Sequence, residues 1–410
     1  MKVLITTDWY KPVINGVVTS VISLLDGLTA LGADVRILTL SKDLHSYKEG
    51  NVTYIGSIGV GKIYPNARLK AVPSSKYIQD LIEWHPDIVH SQCEFSTFFL
   101  AKKIAEACAC PLVHTYHTVY EEFTHYFSPS IWFGRYMAAA FSKRILAKTD
   151  FVIAPTGKVR DLLQRYGVKT PVEVIPSGLE LEQFAVQMDD MERNTLREKL
   201  GIGKEDVVLL YLGRLAQEKN IEELLLLTDR YADPHIKLLL VGDGPYRSVL
   251  EEKAAKLRLG ERVIFAGMVP PNEVARYYSL GDIFVSASQS ETQGLTYVEA
   301  MAAGLPLLCR DDPCLLEVVQ NGKNGLTYIN EDEFRQKLGF LLHDKYARYV
   351  LGNAAKKTVF QQFSAIGFAG NVLKNYQALL MCGGTRSVEM TGTTVGQLQS
   401  VSDGAVLFER

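Results

Sequence analysis

Three things are scarce in this 410-residue sequence, and each shortage narrows what the protein can be. Long apolar runs are missing. No stretch approaches the roughly 20 residues that a membrane-crossing helix needs, and Asp8 interrupts the first apolar run, so the N-terminus does not read as a secretory leader. Cysteine is sparse and unpatterned. The six, at positions 93, 108, 110, 309, 314 and 382, make no disulfide framework, and Cys108 and Cys110 stand too close for the usual zinc knuckle. They read as free thiols in a reducing cytoplasm, without a metal. Excess charge is also lacking: a formal −2 carries no electrostatic signature of a nucleic-acid partner. The small imbalance is nevertheless uneven. Residues 1–179 hold 19 Lys and Arg against 15 Asp and Glu, and the remainder hold 25 against 31, which places the positive surface on the first half.

What is present is a repeated alternation. Val3-Leu4-Ile5-Thr6-Thr7 reads as a buried strand, a loop with Pro12 and Asn15-Gly16 follows, and then an amphipathic helix runs from about Val17 to Leu31. Apolar runs at 35–39, 88–90, 112–114 and 151–154 continue the plan, each separated from the next by helical segments. After a charged stretch, Asp189 to Lys204, the plan restarts with strands at 207–212, 237–241, 263–266, 283–286 and 305–309. Strands alternating with helices predict parallel sheets covered on both faces, here two of them, α/β and Rossmann-like, with a ligand cleft between their C-terminal edges. The expected division is a first domain over 1–180, a second over 181–363, a final helix over 364–382 that packs back toward the first domain, and a loosely ordered tail over 383–410. Neither first strand is followed by a G-x-G-x-x-G turn, which argues against an NAD enzyme.

The chemistry concentrates in the second half. Gly213-Arg214 follows its first strand, with Lys219 five residues on; a glycine there lets backbone approach an anion, and two cations so spaced suit a diphosphate. Gly242-Asp243-Gly244-Pro245 ends the next strand as an ordinary turn. The segment from Ser290 to Ala300 (SETQGLTYVEA) leads from a strand into a helix stopped by Gly304. Gly294, Leu295 and Thr296 form its first turn, where unbonded N–H groups and the positive end of the helix dipole favour phosphate. Glu291 before that turn and Glu299 one turn inside would repel an anion alone. They make sense as acceptors for sugar hydroxyls on either side of it.

Glu291 and Glu299, seven residues between them, resemble the signature of glycosyltransferase family 4, retaining enzymes with the GT-B fold; Gly213-Arg214 with Lys219, the 242–245 turn and Gly304-Leu305-Pro306 fall in the family's order. The resemblance runs to about residue 381. It implies that Arg214 and Lys219 neutralise the donor diphosphate, Glu299 binds the ribose, Glu291 contacts the transferred sugar, and the backbone of Leu295 and Thr296 meets phosphate. It also implies that Gly16, in the Asn15-Gly16-Val17-Val18-Thr19-Ser20 loop, approaches the donor, and that His117, in Thr115-Tyr116-His117-Thr118, stands near the sugar. His114 is read as structural. The resemblance implies substitution on one face, with the departing diphosphate helping to take the acceptor proton. Arg214 and Lys219 would stabilise that leaving group, so no metal or cofactor is expected besides the sugar nucleotide.

Within the family the sequence most resembles bacterial 1,2-diacylglycerol 3-glucosyltransferases, implying UDP-glucose as donor, a membrane lipid as acceptor and residence at the inner face of the cell membrane. A docking surface is then required. The segment from Ile131 to Lys148 supplies Trp132, Phe133, Tyr136, Met137 and Phe141 with Arg135, Lys143, Arg144 and Lys148, and no acid, a composition suited to an anionic leaflet. Tyr120, Phe123, Tyr126 and Phe127 add aromatics upstream, and Lys102 and Lys103 extend the basic patch. The alternative is a core helix with a basic outer face. Other acceptors (a glycolipid's second sugar, a phosphatidylinositol, a soluble sugar) and a non-catalytic nucleotide-sugar binder are the competing readings, and the oligomeric state is left open.

Overall fold

The computed structural model describes residues 1–60, 68–71, 75–122, 130–186 and 188–381. The strands of the first half are β1 (Lys2–Thr6), β2 (Asp34–Leu40), β3 (Tyr47–Glu49), β4 (Val52–Ile55), β5 (Ser57–Gly59), β6 (Arg68–Lys70), β7 (Ile88–Ser91), β8 (Leu112–Thr115), β9 (Phe151–Ala154) and β10 (Val172–Val174). Eight of them form one sheet, ordered β10-β9-β8-β7-β1-β2-β4-β3, parallel except where β3 runs against β4; β5 and β6 pair as a separate ribbon. The second half contributes β11 (Val207–Leu212), β12 (Ile236–Val241), β13 (Val263–Gly267), β14 (Ile283–Ser286), β15 (Leu307–Arg310) and β16 (Leu326–Tyr328), a sheet ordered β13-β12-β11-β14-β15-β16. All its pairings are parallel.

Continuous apolar strands follow from burial on both faces. In the second sheet Leu210, Leu239 and Phe284 enter one core and Leu209, Leu240 and Val285 the other, so the central strand positions are hydrophobic on both faces. The first sheet divides likewise, Ile5 and Ile37 on one side and Leu4 and Leu38 on the other. Strand order reverses between β1 and β7 and again between β11 and β14, and crevices for ligands open at the C-terminal ends of such strand pairs. This is the two-domain α/β architecture that the resemblance implies. Local details differ: β3, β4, β5, β6 and β16 are not among the strands expected, and two boundaries differ for a plain physical reason. The charged 189–204 stretch contains a helix, Asp190–Lys199, capped by the Asp189 carboxylate on Glu192 N. β15 begins at Leu307, because Gly304 turns the chain in the left-handed region and Pro306 has no N–H for a ladder.

The chain crosses between the domains twice. Ile175 belongs to the first core and Leu179 to the second; Phe363 belongs to the second and Phe368 to the first. The two crossings lie side by side, with Leu179 N donating to the Phe363 carbonyl (2.9 Å) and Ala365 N to that of Leu179 (3.1 Å). The last helix, Ala365–Met381, then packs on the first domain's Gly16–Ala30 helix. A Cβ on Gly27 would lie 2.6 Å from that of Ala369, so glycine is what permits this approach. Tyr376 meets His90 Nδ1 at 2.6 Å. Among the described residues no helix is long and apolar enough to cross a membrane. Phe123, Tyr126, Phe127, Cys382 and the 383–410 tail lie outside the described residues.

Candidate functional site

The second domain's switch point gathers the motif residues from separate elements. β11 ends at Leu212, and Gly213 adopts φ +154°. Gly242 then packs so closely on it that a Cβ would sit 2.0 Å from the Gly213 carbonyl oxygen; one on Gly244 would sit 2.3 Å from that of Leu215. Leu215 N donates to Asp243 O (3.0 Å) and Tyr246 N returns to Leu215 O (3.0 Å). The 242–245 segment is therefore more than the plain turn expected of it: its glycines let one loop buttress the loop that carries Arg214 and Lys219.

Both cations already have acidic partners. Arg214 is ion-paired with Glu218, whose side chain is nearly enclosed and whose Oε2 is unpartnered among the described residues. Lys219 Nζ donates to Glu291 Oε1 at 2.7 Å. Burial pushes the Glu291 carboxyl up, but the charge and hydrogen bond of Lys219, with help from Ser288 and Lys158, outweigh it and hold the group below its usual range. Glu291 is thus an anion at neutral pH. Ser290 Oγ donates to the Glu218 carbonyl (3.0 Å), tying the Glu291 loop to the cation loop.

Gly294 precedes the Leu295–Ala302 helix in the left-handed region, φ +73°, and no side chain caps the helix. A Cβ there would come within 2.4 Å of the Tyr297 ring, so glycine is obligatory on two counts. The first-turn amides and the dipole are left to whatever anion binds. Across the cleft, Gly16 begins the Gly16–Ala30 helix, which Asn15 caps through Oδ1 on Val18 N. A Cβ on Gly16 would lie 3.7 Å from Leu295 Cδ1, so the two helix starts meet. Glu299 accepts from the Tyr278 O–H at 2.7 Å; burial pushes its carboxyl up to about 7 against the pull of that bond.

His117 lies on the first domain's wall, with Nε2 at 2.7 Å from Gln92 Oε1. Burial and the neighbouring His114 push it down to about 3, so the ring is neutral and can donate or accept a hydrogen bond but carries no charge. His114 is wholly buried, 3.4 Å from Glu94. Asp8, also buried, accepts from Thr97 N (2.8 Å), and its carboxyl is pushed up to about 6, chiefly by burial.

Several residues near the site were not singled out from sequence. Lys158 Nζ reaches both Asp312 oxygens (2.9 and 2.8 Å) and the Gln289 carbonyl (2.7 Å). Thr156 Oγ1 donates to the Thr292 carbonyl (2.7 Å), Gly157 N to Glu317 (2.8 Å), and the Gln293 amide pairs with both the N–H and C=O of Ser177 (2.8 Å each). The 289–293 loop that holds Glu291 is therefore clamped by the opposite domain. No spacing rule announces pairs more than 100 residues apart; only a buried glutamine or a lone acid after a strand would have been a clue.

On the Ile131–Leu146 helix the inner face is made of small residues, Gly134, Ala138 and Ser142, then Ile145 and Leu146. The large ones point outward: Trp132 is 82% exposed, Tyr136 69% and Phe133 59%, beside exposed Arg135, Lys143 and Arg144. The helix therefore packs on the core by one face, as the core-helix alternative has it, and its outer face is aromatic as well as basic. Lys148 is half-buried, its ammonium 5.1 Å from the Phe99 ring centre, and Lys102 pairs with Glu106. Tyr120 is not a free surface aromatic but is hydrogen-bonded to Glu94 (2.7 Å). The described cysteines are free thiols, Cys110 half-buried and the others buried.

Two doubly wound domains with paired cations at an uncapped helix start define a class that handles activated, phosphate-linked groups. Residues 14–183 match the family described as Glycosyltransferase Family 4, and residues 192–358 that described as Glycosyl transferases group 1. The alpha-monoglucosyldiacylglycerol synthase of Streptococcus pneumoniae is 36% identical over 342 residues, covering 81% of this chain and 76% of that protein. The enzyme of the same name from Acholeplasma laidlawii is 32% identical over 368 residues, 87% and 91% of the two chains. Anabaena HepE in complex with UDP and glucose has the same fold, with a TM-score of 0.73 over 92% of this chain and 100% of that one at 18% identity. The chain belongs to glycosyltransferase family 4, has the GT-B fold and is a hexosyltransferase.

Proposed function

We propose that this enzyme transfers glucose from UDP-glucose to the free hydroxyl of 1,2-diacylglycerol at the inner face of the cell membrane, with retention, giving an α-glucolipid. The single observation that carries the lipid acceptor is the outward-facing set of Trp132, Phe133, Tyr136 and Met137, flanked by Arg135, Lys143 and Arg144, on the domain that also holds His117. The names of the two relatives quoted above agree with it, and the UDP and glucose held by the structural neighbour suit the donor.

In this reading the diphosphate is received by the amides of Leu295 and Thr296, with Gly16 close enough to admit it. Arg214 exchanges Glu218, and Lys219 shares Glu291, for the phosphate oxygens; charge that grows on the leaving group is met by cations already in place. Glu291 accepts hydrogen bonds from the hexose and Glu299 from the ribose. Neutral His117 offers a hydrogen bond to a sugar or acceptor hydroxyl. The diphosphate takes the acceptor proton on the face it leaves, and with Arg214 and Lys219 as its counter-charges no metal is called on. Arg135, Lys143 and Arg144 meet anionic headgroups.

Labelled UDP-glucose offered with diacylglycerol, monoglucosyl-diacylglycerol, phosphatidylinositol and free glucose tests the proposal. Label is expected in α-glucosyl-diacylglycerol; label only in a soluble sugar would overturn it. In sedimentation with liposomes, binding should rise with the anionic fraction, and indifference to it would remove the docking surface.

A further inference from the structure

The first domain carries a second connected feature, beside the switch point and leading away from it. Beyond β7 the chain runs through Gln92 and Cys93 to Glu94 and Phe95, which starts the Ser96–Cys108 helix. Glu94 is buried, and its two oxygens go to the Tyr120 O–H (2.7 Å) and toward His114 Nε2 (3.4 Å). Tyr120 lies three residues beyond His117. Its ring meets Phe95 edge-on (centroids 6.2 Å apart) and Phe141 edge-on (5.6 Å), while Phe95 stacks on Phe141 at 5.7 Å. Phe95 is 40% exposed. Phe141 belongs to the Ile131–Leu146 helix whose first turns bear Trp132, Phe133, Tyr136 and Met137.

These rings form a partly open aromatic wall with chemically different ends. The outer end is continuous with the exposed aromatic and cationic start of that helix. The inner end is polar, with Gln92 hydrogen-bonded to His117 and its Nε2 buried without a partner among the described residues. Burying a carboxylate is costly unless its hydrogen bonds are put to use, and one of those Glu94 makes fixes the direction of the Tyr120 ring.

We propose that Phe95, Tyr120 and Phe141 are the acyl-chain wall of the acceptor site, along which a long-chain alcohol lies with its hydroxyl end toward Gln92 and His117. Glu94 is the positioning residue that holds Tyr120 in the wall. The occupant follows from the gradient: an amphiphile has one apolar and one hydroxylic end, as the wall does, and a soluble sugar has no apolar end to match. The inference rests on the lipid acceptor proposed above.

The test uses the full-length protein with UDP-glucose and two acceptors in mixed micelles, dioleoylglycerol and dioctanoylglycerol. Phe95→Ala is expected to raise the KM for the long-chain lipid about tenfold, through lost apolar contact, with a smaller rise for the short-chain lipid and the KM for UDP-glucose within about twofold. Phe95→Leu should recover most of the loss, and Tyr120→Phe should raise the same KM less. Liposome binding should fall in Trp132→Ala but not in Phe95→Ala, which separates docking from acceptor capture. A Phe95→Ala protein with unchanged melting temperature and unchanged KM for both lipids overturns the wall alone, as does an equal rise for the two lipids. Wild-type enzyme that glucosylates neither lipid sinks the lipid-acceptor reading and the wall with it.

Discussion

On the second domain the cleft is lined by backbone and by charges that already have partners: Gly242 against the Gly213 carbonyl, Arg214 with Glu218, Lys219 with Glu291, an uncapped helix behind them. On the first domain the corresponding polar groups, Asp8, Gln92 and His114, are enclosed. Each is hydrogen-bonded through one atom (to Thr97, His117 and Glu94), with a second, Asp8 Oδ2, Gln92 Nε2 or His114 Nδ1, unpartnered among the described residues. The contrast teaches that one lobe holds its charges in a fixed, paired arrangement, which suits the charged donor proposed for it, while the other holds enclosed polar groups beside an aromatic surface. Pre-organised dipoles and counter-charges lower the cost of a developing anion, since nothing must reorient as the bond breaks.

If the second lobe is the electrostatic one, its cations should govern the chemical step. Lys219→Ala is expected to lower kcat about 100- to 1,000-fold, the range for losing one transition-state charge partner, with donor KM changed much less. Steady-state kinetics with UDP-glucose checks it; a loss confined to KM would assign Lys219 to ground-state binding instead.

The next effect is in pH. Glu299, pushed up to about 7 by burial, is partly protonated in the free enzyme near neutrality. A ribose diol that donates to it requires the carboxylate. UDP-glucose affinity should therefore be full above pH 7 and fall by up to about tenfold per pH unit below it. UDP-glucose itself does not titrate there, and Glu299→Gln should flatten the curve, as read by calorimetry from pH 5.5 to 8.5. Stability has the matching sign: between the ordinary 4.5 and about 7 the folded state binds the extra proton, so this group's contribution declines as pH rises through that window.

The smallest effect probes the clamp between lobes. Lys158→Met removes the partner of buried Asp312, a tie to the Gln289 carbonyl and a minor part of the charge that keeps Glu291 ionised. It should raise the donor KM roughly three- to tenfold by loosening the Glu291 loop. Unchanged donor KM with a lowered melting temperature would reduce the clamp to a structural tie.

The same contrast explains what the sequence reveals. The residues proposed for the donor are easily found because a strand, a glycine turn and a helix start place them at fixed short spacings, so Gly213, Arg214, Lys219, Glu291, Gly294 and Glu299 come as a set. The central strands of both sheets are legible for a similar reason, since burial on two faces favours apolar runs, while the short edge strands β3 and β16 and the inner β4 carry no such run and are not among those expected. First-domain residues are not, because their partners are set by tertiary approach. Nothing local in Gln92 or Glu94 foretells His117 or Tyr120. The Ile131–Leu146 helix shows why hydropathy alone left two alternatives: its inner face is written in Gly134, Ala138 and Ser142, small residues that a search for large hydrophobes passes over.

The closing helix has a consequence for how the molecule is made. Phe368, Ala369, Val372 and Tyr376 complete the core of a domain whose other parts were synthesised nearly 200 residues before. On the ribosome the later lobe can therefore finish folding first, while the earlier one waits with an open flank until the last helix emerges. Translation order and completion order are reversed, and a message cut short before residue 365 costs the lobe that was translated first.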